Sequence, residues 1–362
     1  MPRSSRSEHR FPCDQCGADF RFSPSEGRLV CDHCGQSAKI DDDGPGPDGI
    51  AENDFLAALN AKTPQAEAEN IDRLKCPNCG AELELDLGAH AGECPFCATP
   101  MVTDTGPQRL IKPRAVIPFA LEEREAQKAM TDWLGGLWFA PNGLRNHARK
   151  GRRMQGVYVP YWTFDADTQS RYSGARGMVV RENNRVPRNG QPRTVRAQKI
   201  RWTPVSGHVA RFFDDILVLA ATSLPKSYTD ALEPWNLSAL RPYHPEYLAG
   251  FRAEGYTMDL SEGYDEARAR MDRAIRHDVR LDIGGDRQRI ETLDTQVRGV
   301  TFKHVLLPVW TAAYKYRGKT YRFVVNGQTG RVRGERPWSA WKIALAVLLA
   351  AGLGYLAAFW QG

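Results

Sequence analysis

The sequence predicts an α+β chain: two small β modules each built on four cysteines, a β-rich mixed α/β body with a sign of internal duplication, and one apolar C-terminal helix. Three observations predict it. All eight cysteines lie in four Cys-x-x-Cys pairs near the front of the chain. Strand-like and helix-like apolar patterns are mixed from residue 108 to residue 334. Residues 343–360 hold no charge at all. The boundaries that follow are 11–40 and 75–104 for the cysteine modules, 41–74 for an acidic linker with a weak helix, 105–336 for the body and 338–361 for the terminal helix.

The cysteine pairs are Cys13/Cys16, Cys31/Cys34, Cys76/Cys79 and Cys94/Cys97. Both modules repeat one formula: Cys-x-x-Cys-Gly-Ala, an acidic residue, an apolar residue, and a second Cys-x-x-Cys after 14 intervening residues. The N-terminus is polar and lacks the apolar core of a cleavable secretion signal, so the thiols are expected in a reducing compartment. Paired cysteines there read as metal ligands rather than disulfides. A Cys-x-x-Cys turn puts two thiolates on one side of a tetrahedral site, and two turns close it. The modules therefore read as zinc ribbons holding two structural Zn2+ ions. Four thiolates leave no open position for a catalytic water. Gly17, Gly35 and Gly80 follow three of the pairs, where a positive φ lets backbone N–H groups face sulfur; Ala98 follows the fourth. His33 lies inside one turn and reads as a solvated neighbour.

Charge divides the chain. Residues 1–104 hold 9 basic and 19 acidic side chains, whereas residues 145–201 hold 14 basic and 3 acidic, with Tyr158, Tyr161, Trp162, Tyr172 and Trp202 among or beside them. The acidic front repels phosphate and suits a basic protein surface, or packing against the chain's own basic body. The basic stretch suits anionic lipid head groups, an acidic protein or, less well, nucleic acid.

Within the body, residues 121–134 read as an amphipathic helix stopped by Gly135-Gly136, and residues 261–279 as a second helix, acidic first and basic later. Strand-like runs fall at 156–165, 176–181, 200–203, 215–220 and 300–316, and residues 319–332 read as a hairpin. The run 157–163 echoes 305–311, which suggests duplication. The Gly318-Lys319-Thr320 triplet lacks the first glycine of a phosphate loop, since position 313 is alanine, and the histidines are scattered singly. No catalytic constellation emerges, and the expectation is a non-enzyme.

Residues 343–360 would span about 27 Å as a helix, with Trp338, Trp341 and Trp360 at its ends and Arg331, Arg333, Arg336 and Lys342 before it. The reading is a tail anchor in the inner membrane, with the body in the cytosol and the C-terminus out.

Paired ribbons, the apolar tail and the runs 138–141, 156–162, 247–251 and 321–330 together resemble a bacterial family. Its members are membrane-anchored proteins with tandem transcription factor IIB-type zinc ribbons, often labelled primosomal protein N′ (replication factor Y) or helicase-like. The helicase part of that label has no counterpart here, because the ATPase motifs are missing. The resemblance transfers the eight ribbon cysteines and implies a membrane adaptor for an envelope-stress protein. The function expected is a zinc-ribbon adaptor or scaffold recruiting a cytosolic protein to the membrane; the alternative is a nucleic-acid-binding accessory protein of replication using residues 145–201.

Overall fold

A computed structural model describes residues 11–40, 50–60, 68–71, 73–84, 91–97, 99–102, 108–141, 154–188, 191–316 and 319–361. The acidic linker core at 41–49 and the basic residues at 145–153 lie outside the described residues. The principal elements of the body and the terminal helix are β1 (Ala115–Val116), α1 (Glu123–Gly135), β2 (Gln155–Arg188), β3 (Gln191–Leu219), β4 (Arg252–Ala253), α2 (Leu260–Ile283), β5 (Arg287–Tyr316), β6 (Lys319–Asn326), β7 (Val332–Gly334) and α3 (Ala340–Gln361).

Three of these strands are unusually long. At 34 residues, β2 extends over about 110 Å. It pairs antiparallel with β3 along one edge and with β5 along the other, inside a nine-stranded sheet. Sequence patterning saw only fragments of these strands, because bulges at Asp165 and Ser173/Gly174 shift the alternation. Both predicted helices form, and each begins with a reciprocal capping box, Glu122 with Glu125 and Asp259 with Glu262. The 319–332 hairpin also forms, as β6 against β7. The weak helix of the linker forms at Phe55–Asn60, and residues 68–71 and 73–75 after it are short strands.

The echoed runs pair with one another. Val157 lies opposite Val309, Val159 opposite Leu307 and Tyr161 opposite Val305. Around this local two-fold the same bonds recur. Strand β4 runs parallel to β2 at Val157–Tyr158, as β1 runs parallel to β5 at Val305–Leu306. The Trp162 indole N–H donates to the Met258 carbonyl at 3.1 Å, and that of Trp310 to the Leu121 carbonyl at 3.0 Å. Ala220 donates its N–H to the Pro160 carbonyl, and Gly327 donates to Pro308. The body is thus two copies of one strand, helix and long-strand unit, related by a two-fold through the β2/β5 pair.

Alternation along these strands creates two apolar faces. Val157, Val159, Tyr161, Val305, Leu307 and Val309 form one, and the second ribbon is buried against it. Tyr158, Leu306 and Trp310 form the other, covered by α1 and the first ribbon. Further along that second face, Trp162, Phe164 and Phe302 meet α2 through Ala267, Met271, Ile275 and Val279.

Two expectations are corrected here. The fold is dominated by the nine-stranded sheet, and no helix among the described residues is long and apolar enough to cross a membrane. A terminal helix does form as α3, with Leu345, Val347, Leu348, Leu349 and Leu353 exposed. The side chains of Tyr355, Leu356, Ala358 and Phe359 lie outside the described residues. That no helix among the described residues is long and apolar enough to cross a membrane overturns the expected transmembrane helix, tail anchor and inner-membrane placement with the C-terminus out.

Candidate metal centres

Each ribbon is assembled from two knuckles. In the first, Gly17 donates its N–H to the Cys13 carbonyl at 2.8 Å and Gly35 to that of Cys31 at 2.9 Å. Gly80 repeats the bond to Cys76 at 3.0 Å. All three glycines adopt positive φ, between 73° and 75°, as the sequence implied. Ala98 lies outside the described residues. Strand Phe20–Ser23 pairs with Arg28–Cys31 and so carries the first knuckle of the first ribbon toward its second.

The knuckles converge as predicted. Cys13 Sγ lies 3.6 Å from Cys34 Sγ, and Cys16 Sγ lies 3.5 Å from Cys31 Sγ. In the second ribbon the Cys76–Cys97 and Cys79–Cys94 sulfurs are both 3.5 Å apart. Within each set the four sulfurs lie within 4.8 Å of one another. Tetrahedral zinc with bonds of about 2.3 Å demands sulfur separations of about 3.8 Å, so both donor sets fit a structural Zn2+. Paired sulfurs hold their protons unequally, with Cys31 and Cys79 lowered and their partners Cys16 and Cys94 raised. Backbone N–H groups of Cys34 and His33 outweigh burial and lower Cys31 to about 7. The hydrogen bond to Cys94 lowers Cys79 to about 5.

The two centres differ in setting. Cys76, Cys94 and Cys97 are buried and belong to the core that contains Val157 and Leu307. Cys16 and Cys34 are exposed, as are Asp14, Gln15, Asp32 and His33 around them. The first ribbon grips the body through its other end: Phe22 packs edge-on to Tyr247 at 5.4 Å, and its N–H donates to the Ala249 carbonyl. Chelator competition should therefore release about one zinc equivalent quickly and the second slowly. Cys16→Ser with Cys34→Ser should abolish the fast phase, followed with a colorimetric zinc indicator. Simultaneous release of both equivalents from the unmodified chain would contradict the asymmetry.

The comparisons agree with the front of the chain. Residues 7–38 match the family described as the zinc-finger of the RNA-polymerase I-specific TFIIB, Rrn7. That match places a TFIIB-type zinc ribbon at the N-terminus, and the second four-cysteine cluster repeats its ligand set. Zinc ribbons of this kind bind nucleic acid or protein. Over 256 residues the chain is 27% identical to the uncharacterized protein YdjG of Bacillus subtilis (strain 168), covering 68% of this chain and 70% of that one. The likeness is longer than the two ribbons and their linker together, so it includes part of the body. No solved structure matches the chain. Neither finding supports the primosomal label or membrane anchoring.

One polar cluster escaped the sequence reading. Lys303, only 7% exposed, places its Nζ 2.8 Å from Glu52 Oε1, 2.9 Å from Asp215 Oδ1 and 3.8 Å from Asp165 Oδ2. Asp165 sits at the bulge and accepts the Asp215 N–H at 2.6 Å, and Asp215 has a positive φ of 50°. Asp165, Asp214 and Asp215 could present three oxygens to a cation, but the Lys303 ammonium already lies among these carboxylates. The only trace in the sequence is acidic residues inside apolar strand runs. The cluster ties the Asn53–Asp54 strand of the linker to β5.

Burial and the neighbouring Glu52 raise Asp165 to about 7. Burial opposes ionisation of Glu52, but hydrogen bonds from Asp165, Lys303 and Thr301 prevail and hold it at about 2. The pair therefore keeps a proton on Asp165. A carboxyl raised in the folded state stabilises fully below its unfolded pKa and loses that contribution as pH rises through the folded value. With zinc saturating, the melting temperature should fall between about pH 5 and about pH 7, and Asp165→Asn should remove most of that slope. An unchanged slope in the variant would refute this assignment.

The aromatic residues among the basic stretch serve the core instead of a surface. Tyr158, Tyr161, Trp162 and Tyr172 are buried, and only Trp202, at 37%, is exposed.

Proposed function

We propose that the protein is a non-enzymatic scaffold that engages a protein partner through the exposed zinc knuckles of its first ribbon. The observation that carries this reading is the unequal use of two ribbons of one design. The second ribbon is consumed as a wall of the core, and its zinc serves folding. The first spends Phe22 and Leu29 on docking to the body and presents Asp14, Gln15, Asp32 and His33 outward around its metal. Zinc fixes that tip without closing it, and fixed side chains lose little entropy on binding. The acidic residues there suit a partner with a basic contact surface.

The test is cross-linking and affinity capture with the full chain and with Asp14→Lys, Gln15→Ala, Asp32→Lys and His33→Ala combined. The combined variant should keep two zinc ions and lose a partner that the unmodified chain captures. Retention of every captured protein would overturn the docking assignment.

A further inference from the structure

Past the Gly177–Arg287 pair, β5 has ended and β2/β3 continues alone. From Met178–Arg201 to Arg188–Gln191 it is a two-stranded antiparallel ribbon, about 36 Å long. Its root is braced. The Val179 N–H donates to an Asp286 carboxylate oxygen at 2.7 Å, Arg176 Nε donates to the carbonyl of Ile283 at the end of α2, and the Arg289 guanidinium lies 4.8 Å above the Trp202 ring. Gly177 is required here, because a Cβ would meet Ile200 at 2.9 Å and Trp202 at 3.0 Å. The root of the arm is thus tied to the end of α2 and the start of β5.

Residues 178–201 contain seven Arg or Lys and a single Glu. Of the cations with described side chains, Arg181, Lys199 and Arg201 are exposed and form no ion pair among the described residues. Closer to the body, by contrast, Arg211 is clasped by Asp278 at 2.9 Å. Protecting bare strand edges from pairing with other chains requires charge, but charge of either sign serves. A nearly uniform positive sign implies a polyanion. Protein interfaces are anchored by buried aromatic and apolar residues, whereas residues 181–198 contain no aromatic side chain.

We infer that this β-ribbon arm is a docking surface for duplex DNA, lying in the major groove. That groove is about 12 Å wide and admits a two-stranded β-ribbon, and the arm's length matches one helical turn of about 34 Å. The A-form major groove of duplex RNA is too deep and narrow for it. Its basic residues neutralise phosphates, and such contacts carry affinity rather than sequence choice. This activity goes beyond the protein docking of the first ribbon and uses none of its residues.

The experiment measures binding of the full zinc-loaded chain to a labelled duplex DNA of mixed sequence by fluorescence anisotropy across salt. With up to seven phosphate contacts, the slope of log affinity against log salt should approach about −6. The variant combining Arg181→Glu, Lys199→Glu and Arg201→Glu should keep its zinc content and melting temperature. Its affinity should fall about 100-fold or more and its salt slope should flatten by about three. Lysine at 181 and 201 should preserve binding. Absence of binding at low salt, or equal binding by the charge-reversed variant, overturns the proposal. Equal affinity for duplex RNA overturns the groove assignment, and equally effective competition by a polyglutamate peptide reassigns the arm to an acidic protein and overturns it as well.

Discussion

Serine at Cys76 and Cys94 is expected to unfold the body, whereas serine at Cys16 and Cys34 is expected to loosen only the first ribbon. Cys76 and Cys94 are 1% and 2% exposed and pack in one cluster with Ala81, Leu83, Phe96, Val157, Leu307 and Val309. Their zinc organises the loops that place Leu83 and Phe96 on the sheet, so losing it removes a wall of the core as well as a ligand set. Structural zinc contributes about 10 kcal/mol or more of apparent binding free energy, comparable with the whole stability of a domain. Near-ultraviolet circular dichroism and thermal unfolding should therefore show no cooperative transition for Cys76→Ser with Cys94→Ser. The corresponding first-ribbon variant should keep a cooperative transition and about one zinc. A folded body in the former variant would show that the second ribbon is an appendage.

The second large effect follows from the internal two-fold. Trp162 is fully buried and Trp310 is 6% exposed, and each ties the end of its strand to the loop before a capped helix through one indole hydrogen bond. Gly263 exists to admit the first ring, since a Cβ there would lie 2.7 Å from Trp162 Cδ1. Alanine at either tryptophan leaves a cavity and an unpaired carbonyl, at about 3–5 kcal/mol each. Denaturant melts of Trp162→Ala and Trp310→Ala should agree to within about 1 kcal/mol. A large loss in one and almost none in the other would mean that the repeats share a backbone plan without sharing its energetics.

The eight thiol ligands were legible in the sequence because metal chemistry fixes both residue type and spacing, and the glycines behind three knuckles announced their φ. Helix α1 was legible from its apolar side and the Gly135-Gly136 stop, and α2 from its acidic start and basic end. The long strands were not. Their exposed faces are polar, and the bulge at Asp165 resets which residues face inward, so one strand of 34 residues read as separate short runs. The echo of 157–163 in 305–311 was visible, but its meaning depends on which strands pair, and pairing across about 150 residues leaves no local mark. The Lys303 cluster likewise joins Glu52, Asp165 and Asp215 from distant segments. The terminal apolar run read as a membrane span, but no helix among the described residues is long and apolar enough to cross one.

The central claim is that two complete four-sulfur zinc centres hold this chain together. Zinc K-edge X-ray absorption on the purified full chain, with metal content determined on the same sample, tests it most directly. The account predicts two zinc ions per chain and a single shell of four sulfurs at about 2.3 Å. A nitrogen or oxygen ligand in the shell, or a metal content near one per chain, would contradict it.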